Sequence, residues 1–156
     1  MQTISYVKGD ATKPKGEGPK IIVHICNDIG GWGAGFVLAL SNRWELPEKN
    51  YHDWFKSGKN FKLGEVQMVQ VEPDIWVANL IGQRDVVPGE DGKPPIRYKA
   101  VYLGMEKLEK KAKKLKASVH MPRIGCGLAG GKWNKIEPII SENLTEQGIP
   151  VTVYDL

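Results

Sequence analysis

The chain has 156 residues, of which 41% are hydrophobic and 26% charged, with a formal net charge of +4. That length allows one domain with a real core and leaves no room for a comfortable second, so a single domain over residues 1–156 is expected. The composition is that of an ordinary globular protein. A net charge of this size favours anionic partners weakly and does not make a nucleic-acid surface.

Residues 3–7 alternate weakly and read as a first strand, ending in Lys8-Gly9-Asp10. Asp10 stands where a carboxylate caps a turn or accepts a hydrogen bond from a ligand amine. Residues 11–20 are rich in Pro, Gly and Lys and read as a loop. The run Ile21-Ile22-Val23, continued through His24-Ile25-Cys26, reads as a buried strand. After Asn27-Asp28 come Gly30, Gly31, Gly33 and Gly35, four glycines in six residues, and then a helix over 36–43. Strand, glycine loop and helix start build an anion site: glycines let the backbone approach a ligand, and the first helical amides have no internal partner. The loop lacks both a Gly-Lys-Ser/Thr ending and the dinucleotide-fold glycine spacing, so it says phosphate without saying which compound.

A helix is expected over 50–57, with Tyr51, Trp54 and Phe55 on one core-facing side. Residues 65–71 alternate as a half-wet strand, 75–81 read as an apolar strand broken only by Asn79, and the short turn between them predicts an antiparallel hairpin. Residues 82–95 read as a long polar loop, functional or mobile. The longest helix spans 97–116, with Val101, Leu108 and Leu115 seven apart and Leu103, Gly104, Met105 and Ala112 widening the stripe. Its second half carries six lysines, Lys107 to Lys116. These read as a solvated face, because no aromatic or Arg residues interleave with them as a stacking groove requires.

Residues 118–121 form a short strand feeding Pro122-Arg123-Ile124-Gly125-Cys126-Gly127-Leu128-Ala129-Gly130-Gly131, a second glycine loop. A helix follows to about residue 147, and 151–154 close the chain as a strand. Alternating strands and helices predict an α/β sandwich with a mixed central sheet and helices on both sides. Both glycine loops then lie beyond the carboxyl ends of strands, on opposite sides of one cleft. His24, inside an apolar strand, reads as a satisfied core histidine. Cys26 and Cys126 read as small packing residues, with no disulfide framework. The three histidines and two cysteines have no metal-ligand spacing. The polar N-terminus and the absence of a membrane-length apolar run lead us to expect a cytoplasmic protein with no membrane partner.

Tyr6-Val7-Lys8-Gly9-Asp10, the stretch from His24 to Phe36, Met121-Pro122-Arg123-Ile124-Gly125-Cys126-Gly127-Leu128 with Trp133, and Thr152-Val153-Tyr154-Asp155-Leu156 together resemble the macrodomains, modules that bind ADP-ribose. The resemblance covers essentially the whole chain and extends to the branch containing terminal ADP-ribose protein glycohydrolase. It implies a three-layer α/β/α fold, ADP-ribose or an ADP-ribosylated protein as partner, and no cofactor. It also implies roles. Asp10 and the Ala11 backbone meet the adenine, and Tyr154 or Leu156 packs on it. Asn27 holds the distal ribose. Gly33, Ala34, Gly35 and Phe36 line the diphosphate and distal ribose from one side, with Ile124, Gly125, Cys126, Gly127 and Leu128 donating amides from the other.

One departure concerns catalysis. The glycohydrolase uses a lysine after the apolar strand and an aspartate after the second glycine loop. The corresponding residues here are Gln83 and Ala129, which can form neither a Schiff base nor an acid–base pair. The remaining catalytic candidates are Asn27, Asp28 and Gln83, with Asp28 equally readable as a turn residue. Three activities share such a pocket: hydrolysis of ADP-ribose esters on Glu or Asp, non-catalytic reading of ADP-ribose, and hydrolysis of ADP-ribose 1''-phosphate. The hydrolase is the favoured expectation, from the small single-domain form and the intact distal-ribose loop.

Overall fold

The computed structural model describes residues 3–89, 92–127 and 129–156. The strands are β1 Ser5–Lys8, β2 Lys20–Asn27, β3 Val66–Glu72, β4 Ile75–Gln83, β5 Ser118–Met121 and β6 Val151–Asp155. The helices are α1 Phe36–Arg43, α2 Leu46–Ser57, α3 Tyr98–Leu115 and α4 Trp133–Asn143. One sheet runs in the order β1-β6-β5-β2-β4-β3, parallel throughout except for the antiparallel β3–β4 pair.

The strand β2 shows why its sequence is apolar without alternation. Ile21 and Val23 join a core with α3 and α4, while Ile22 and Cys26 join a second core with α1 and α2. A strand covered on both faces has no wet side to encode. The three-layer expectation is met. The chain leaves β2 for the α1/α2 layer and leaves β5, its parallel neighbour, for the α4 layer. Loops that diverge from adjacent parallel strands to opposite faces open a crevice between them, where open α/β sheets bind ligands.

Three expectations need correction. The helix α2 starts at Leu46 and takes Pro47 into its first turn, where a missing N–H costs nothing because that amide has no helical partner. Phe55 lies outside the core: it is 42% exposed, while Tyr51 on the same helix is fully buried. Phe55 instead covers Gly30 and packs edge-on against Phe61. The last helix does not run to residue 147. It stops at Asn143, and a separate 3-10 turn spans Thr145–Gln147. There the Asn143 amide donates to the Ile139 carbonyl at 2.9 Å and the Thr145 hydroxyl to Ser141 at 3.2 Å, side-chain bonds that compete with continued helix.

Buried polar residues are paired across the sheet. His24, Asn79 and Gln67 stand in register on β2, β4 and β3. The Asn79 amide donates to the Pro47 carbonyl and to Gln67 Oε1, so its Oδ1 must accept from His24 Nε2, 2.5 Å away. His24 is therefore the satisfied core histidine expected, with the proton on Nε2. Burial lowers its pKa from 6.5 to about 4, against the opposing hydrogen bond to Asn79.

On α3, Val101, Met105 and Leu108 are fully buried, while Leu103, counted in the stripe, is 40% exposed. Gly104 lets α3 approach β4 closely, since a Cβ there would sit 2.4 Å from Leu80 Cγ. Gly104→Ala is expected to cost roughly 1–3 kcal/mol by overpacking. Urea denaturation at neutral pH measures it, and an unchanged midpoint would show that α3 can move off the sheet freely. Among the described residues, no helix is long and apolar enough to cross a membrane.

Candidate functional site

The crevice above β2 and β5 is a cleft of about 290 Å³. Ala34, Gly35, Phe36 and Val37 form one wall, Pro122 to Gly125 with Gly127 and Ala129 form the other, and His24, Ile25 and Gln83 complete it. The two glycine loops thus face each other as expected. Gly35 adopts φ 83° at the start of α1 and no side chain caps that end. Among the described residues the amides of Gly33 to Val37 donate to no protein acceptor, and neither do those of Gly125, Cys126 and Gly127. Two rows of open amides on opposite walls, one at a helix N-terminus, make an anion site.

The second loop is shaped from within. The Gly131 amide donates to the Gly125 carbonyl at 2.7 Å and that of Gly130 to Gly127 at 3.0 Å, turning carbonyls away and leaving amides for the cleft. Gly125 has φ 72°, and a Cβ there would meet Ile96 at 2.7 Å, so this glycine is required by the fold as well as by any ligand. Cys126 is half-buried and points its thiol at the Ile124 carbonyl, 3.4 Å away. Burial raises its pKa. Leu128 lies outside the described residues.

Ile25, Ala34, Val37 and Gln83 are shared with an adjoining chamber of about 430 Å³. Its other walls are Cys26, Asn27, Ile29, Gly31, Trp32, Gly33 and Val86. Asn27 and Gln83 line this chamber and Asp28 does not, and all three catalytic candidates are partly engaged. Asn27 Oδ1 accepts from the amides of Ile29 and Gly31 and from the Tyr51 hydroxyl, and its Nδ2 donates to the Gly31 carbonyl. It organises the glycine loop, with one Nδ2 hydrogen left for a ligand. Asp28 Oδ1 accepts from the Asp85 amide at 2.7 Å, and Gln83 Nε2 donates to the Asp85 carbonyl at 2.9 Å.

Asp85 itself has φ 60°, the left-handed region. The segment 82–97 is pinned at its base: Arg84 N donates to Pro95 O at 2.8 Å and Arg97 N to Gly82 O at 2.9 Å. The loop expected to be functional or mobile is therefore anchored along its base and closes one wall of the chamber through Val86. Val86 was missed in the sequence reading, although two consecutive valines in a polar loop were a legible signal. The chamber's Ile29 and Trp32 were equally unflagged.

The adenine-end assignments separate from this cleft. Asp10 spends its carboxylate on the Thr12 amide at 2.9 Å and hydroxyl at 2.7 Å. Partial burial would raise its pKa, but the Thr12 bonds outweigh that and hold it below the usual value. Ala11 is buried beside it. Tyr154 is 3% exposed, its hydroxyl accepting from the Lys15 amide and bonded to His120 Nδ1 at 2.7 Å, whereas Leu156 is fully exposed. These residues adjoin the strand ends, but the cleft itself is lined by Arg123 at that side. Arg123 forks onto Asp155 at 2.7 and 3.0 Å, with Tyr6 and Trp133 rings 5.1 and 5.2 Å from its guanidinium. Among the described residues no cluster of His, Cys, Asp and Glu could hold a metal.

No family model matches the chain. Solved structures do. A protein of unknown function from Bacteroides thetaiotaomicron is 57% identical with a TM-score of 0.97, covering 98% of each chain. A macrodomain protein from Streptomyces coelicolor is 53% identical with a TM-score of 0.87, covering 98% of this chain and 99% of that one. Thermosipho africanus DarTG in complex with ADP-ribose shares the fold at 22% identity and a TM-score of 0.79, over 99% of this chain and 42% of that one. Among curated relatives, the mouse chromodomain-helicase-DNA-binding protein 1-like is 35% identical over 97% of this chain, which spans 18% of that protein's length. An ADP-ribose 1''-phosphate phosphatase of Meyerozyma guilliermondii is 23% identical over 92% of this chain and 95% of its own. Paired glycine loops at a sheet switch point, together with a named relative matched end to end at more than half identity, place this chain in the macrodomain family.

Proposed function

We propose that the chain binds ADP-ribose across the cleft and hydrolyses it from modified proteins, at an ester of Glu or Asp. The observation that carries this reading is the facing pair of open-amide rows, 33–37 and 125–127, with a second chamber continuing beyond them. The diphosphate fits between the rows, with the distal ribose in the chamber beside Asn27 and Gln83. The relative solved with ADP-ribose supports the ligand class.

Gln83 and Ala129 do meet in the cleft. Neither can act as a nucleophile or a proton carrier, so a direct attack by water replaces a covalent route. The water oxygen bonds to the anomeric carbon of the distal ribose as that carbon's bond to the ester oxygen breaks. The bonding pair leaves with the carboxylate, and the water proton passes through Asp28 to solvent. Asp28 Oδ1 is taken by the Asp85 amide, which leaves Oδ2 to orient the water. The transition state carries positive charge on the ribose, which a nearby carboxylate stabilises.

The test is to incubate the protein with a Glu-linked mono-ADP-ribosylated protein and follow free ADP-ribose, with calorimetric binding of ADP-ribose in parallel. Multiple turnovers support the hydrolase. Tight binding without release would make this a reader, the reading that the missing lysine and aspartate favour.

A further inference from the structure

The cleft is electrostatically lopsided. Its diphosphate part is lined by Arg123, whereas none of the side chains lining the distal chamber is charged. Two aspartates adjoin that chamber along the chain without lining it. Asp28 follows Asn27 and precedes Ile29, both lining residues, and Asp85 stands between the lining residues Gln83 and Val86 on the opposite wall. The two walls are tied by the 2.7 Å bond from the Asp85 amide to the Asp28 carboxylate. The Asp85 carboxylate folds back on its own loop, accepting from the Val86 amide at 2.6 Å. The field of Asp28 reaches inward as well: after burial and the neighbouring Cys26, it is one of the causes that raise the pKa of the Tyr51 hydroxyl. Arg84, between Gln83 and Asp85, is exposed, whereas Asp28 and Asp85 are part-buried; none of the three lines the chamber.

We infer that the distal chamber selects an uncharged substituent on the distal ribose and rejects a phosphate there. The selection arises because no cation lines the chamber to pair an anion, while Asp28, tied to the opposite wall through the Asp85 amide, adds negative charge nearby. This rests on the ADP-ribose orientation given above. A phosphate monoester would place its charge in a largely apolar space with no lining cation to pair it. An ester of a protein carboxylate is neutral until it is cleaved. Its carboxylate product is then repelled, which speeds departure. Negative charge at Asp28 that disfavours an anion also favours the positive charge of the hydrolytic transition state. The inference thus separates this chain from the 1''-phosphate phosphatases among its relatives, despite the shared fold.

Calorimetry decides it, using ADP-ribose and ADP-ribose 1''-phosphate against the full chain and against Asp28→Asn and Asp85→Asn. Both amides keep the Oδ1 acceptor, so loop geometry is retained while charge is removed. The unmodified chain is expected to bind the 1''-phosphate at least about tenfold more weakly than ADP-ribose, which is about 1.4 kcal/mol. In each variant the ratio of the two dissociation constants should shrink several-fold, and raising salt should shrink it in the unmodified chain. Equal or tighter binding of the 1''-phosphate, or a ratio that neither variant changes, would overturn the inference while leaving the ADP-ribose site standing. No binding of ADP-ribose itself would overturn the site assignment, and this inference with it.

Discussion

Replacing Gly33 by Trp is expected to weaken ADP-ribose binding by at least about 100-fold, near 3 kcal/mol, and to leave the melting temperature close to that of the unmodified chain. The physical basis is the space around this residue. An added Cβ at Gly33 meets no atom within 4 Å, and its φ lies outside the left-handed region. A side chain there therefore enters the chamber without disturbing the core. Gly127 offers the same test from the opposite wall, because its Cβ also meets nothing within 4 Å while the residue lines the cleft. Gly125 does not, since a Cβ there strikes Ile96 and any loss of binding would be mixed with loss of fold. Unchanged affinity in both Gly33→Trp and Gly127→Trp would dismiss the cleft as the ligand site.

Acidification from pH 7.5 to 4.5 should remove several kcal/mol of stability before any carboxylate with a lowered pKa titrates. His24 and His120 are both shifted from 6.5 to about 4, His24 by burial and His120 by burial followed by the charge of Lys20. The unfolded chain takes up these protons as pH falls past 6.5, while the folded chain resists until about pH 4. Their contribution is thus fully present above the unfolded value and lost as pH falls through this window. It amounts to at most about 3 kcal/mol for each histidine. Asp10 and Asp155 are held below the usual carboxylate value, the latter by Arg123, and so titrate beneath the window. Urea midpoints at half-unit pH steps measure the slope, and His120→Phe should flatten part of it. A stability profile level between pH 6.5 and 4.5 would mean that one or both rings take up a proton without unfolding.

Much of the architecture is local in origin and could be read without coordinates. Every strand was marked to within a residue or two, the central ones by apolar runs, because burial on both sheet faces forces an apolar sequence, and β1 and β3 by alternation. The glycine clusters at 30–35 and 125–131 announced backbone that must approach a ligand. That reading survives in two rows of open amides. Where competing side-chain bonds decide, local pattern failed. The helix ending at Asn143 depends on hydrogen bonds that the apolar spacing does not register, and Phe55 sits on the helical face of Tyr51 yet is drawn outward to cover Gly30.

An α/β chain with two phosphate-type loops was legible from the residues, and the family resemblance added that Gln83 and Ala129 stand where a lysine–aspartate pair would be used. The strand pattern and the loops reside in residue identity and short-range spacing. What the catalytic candidates are bonded to follows from contacts distant in the chain. Asn27 organises its own loop with one Nδ2 hydrogen to spare, Asp28 reaches across 57 positions to the Asp85 amide, and Gln83 donates to the Asp85 carbonyl. Such contacts depend on β2 and β4 lying side by side in the sheet, a long-range pairing that leaves no periodic trace in either segment. The uncharged distal chamber belongs to the same class: its lining comes from two stretches, residues 25–37 and residues 83–86, that only the fold brings together.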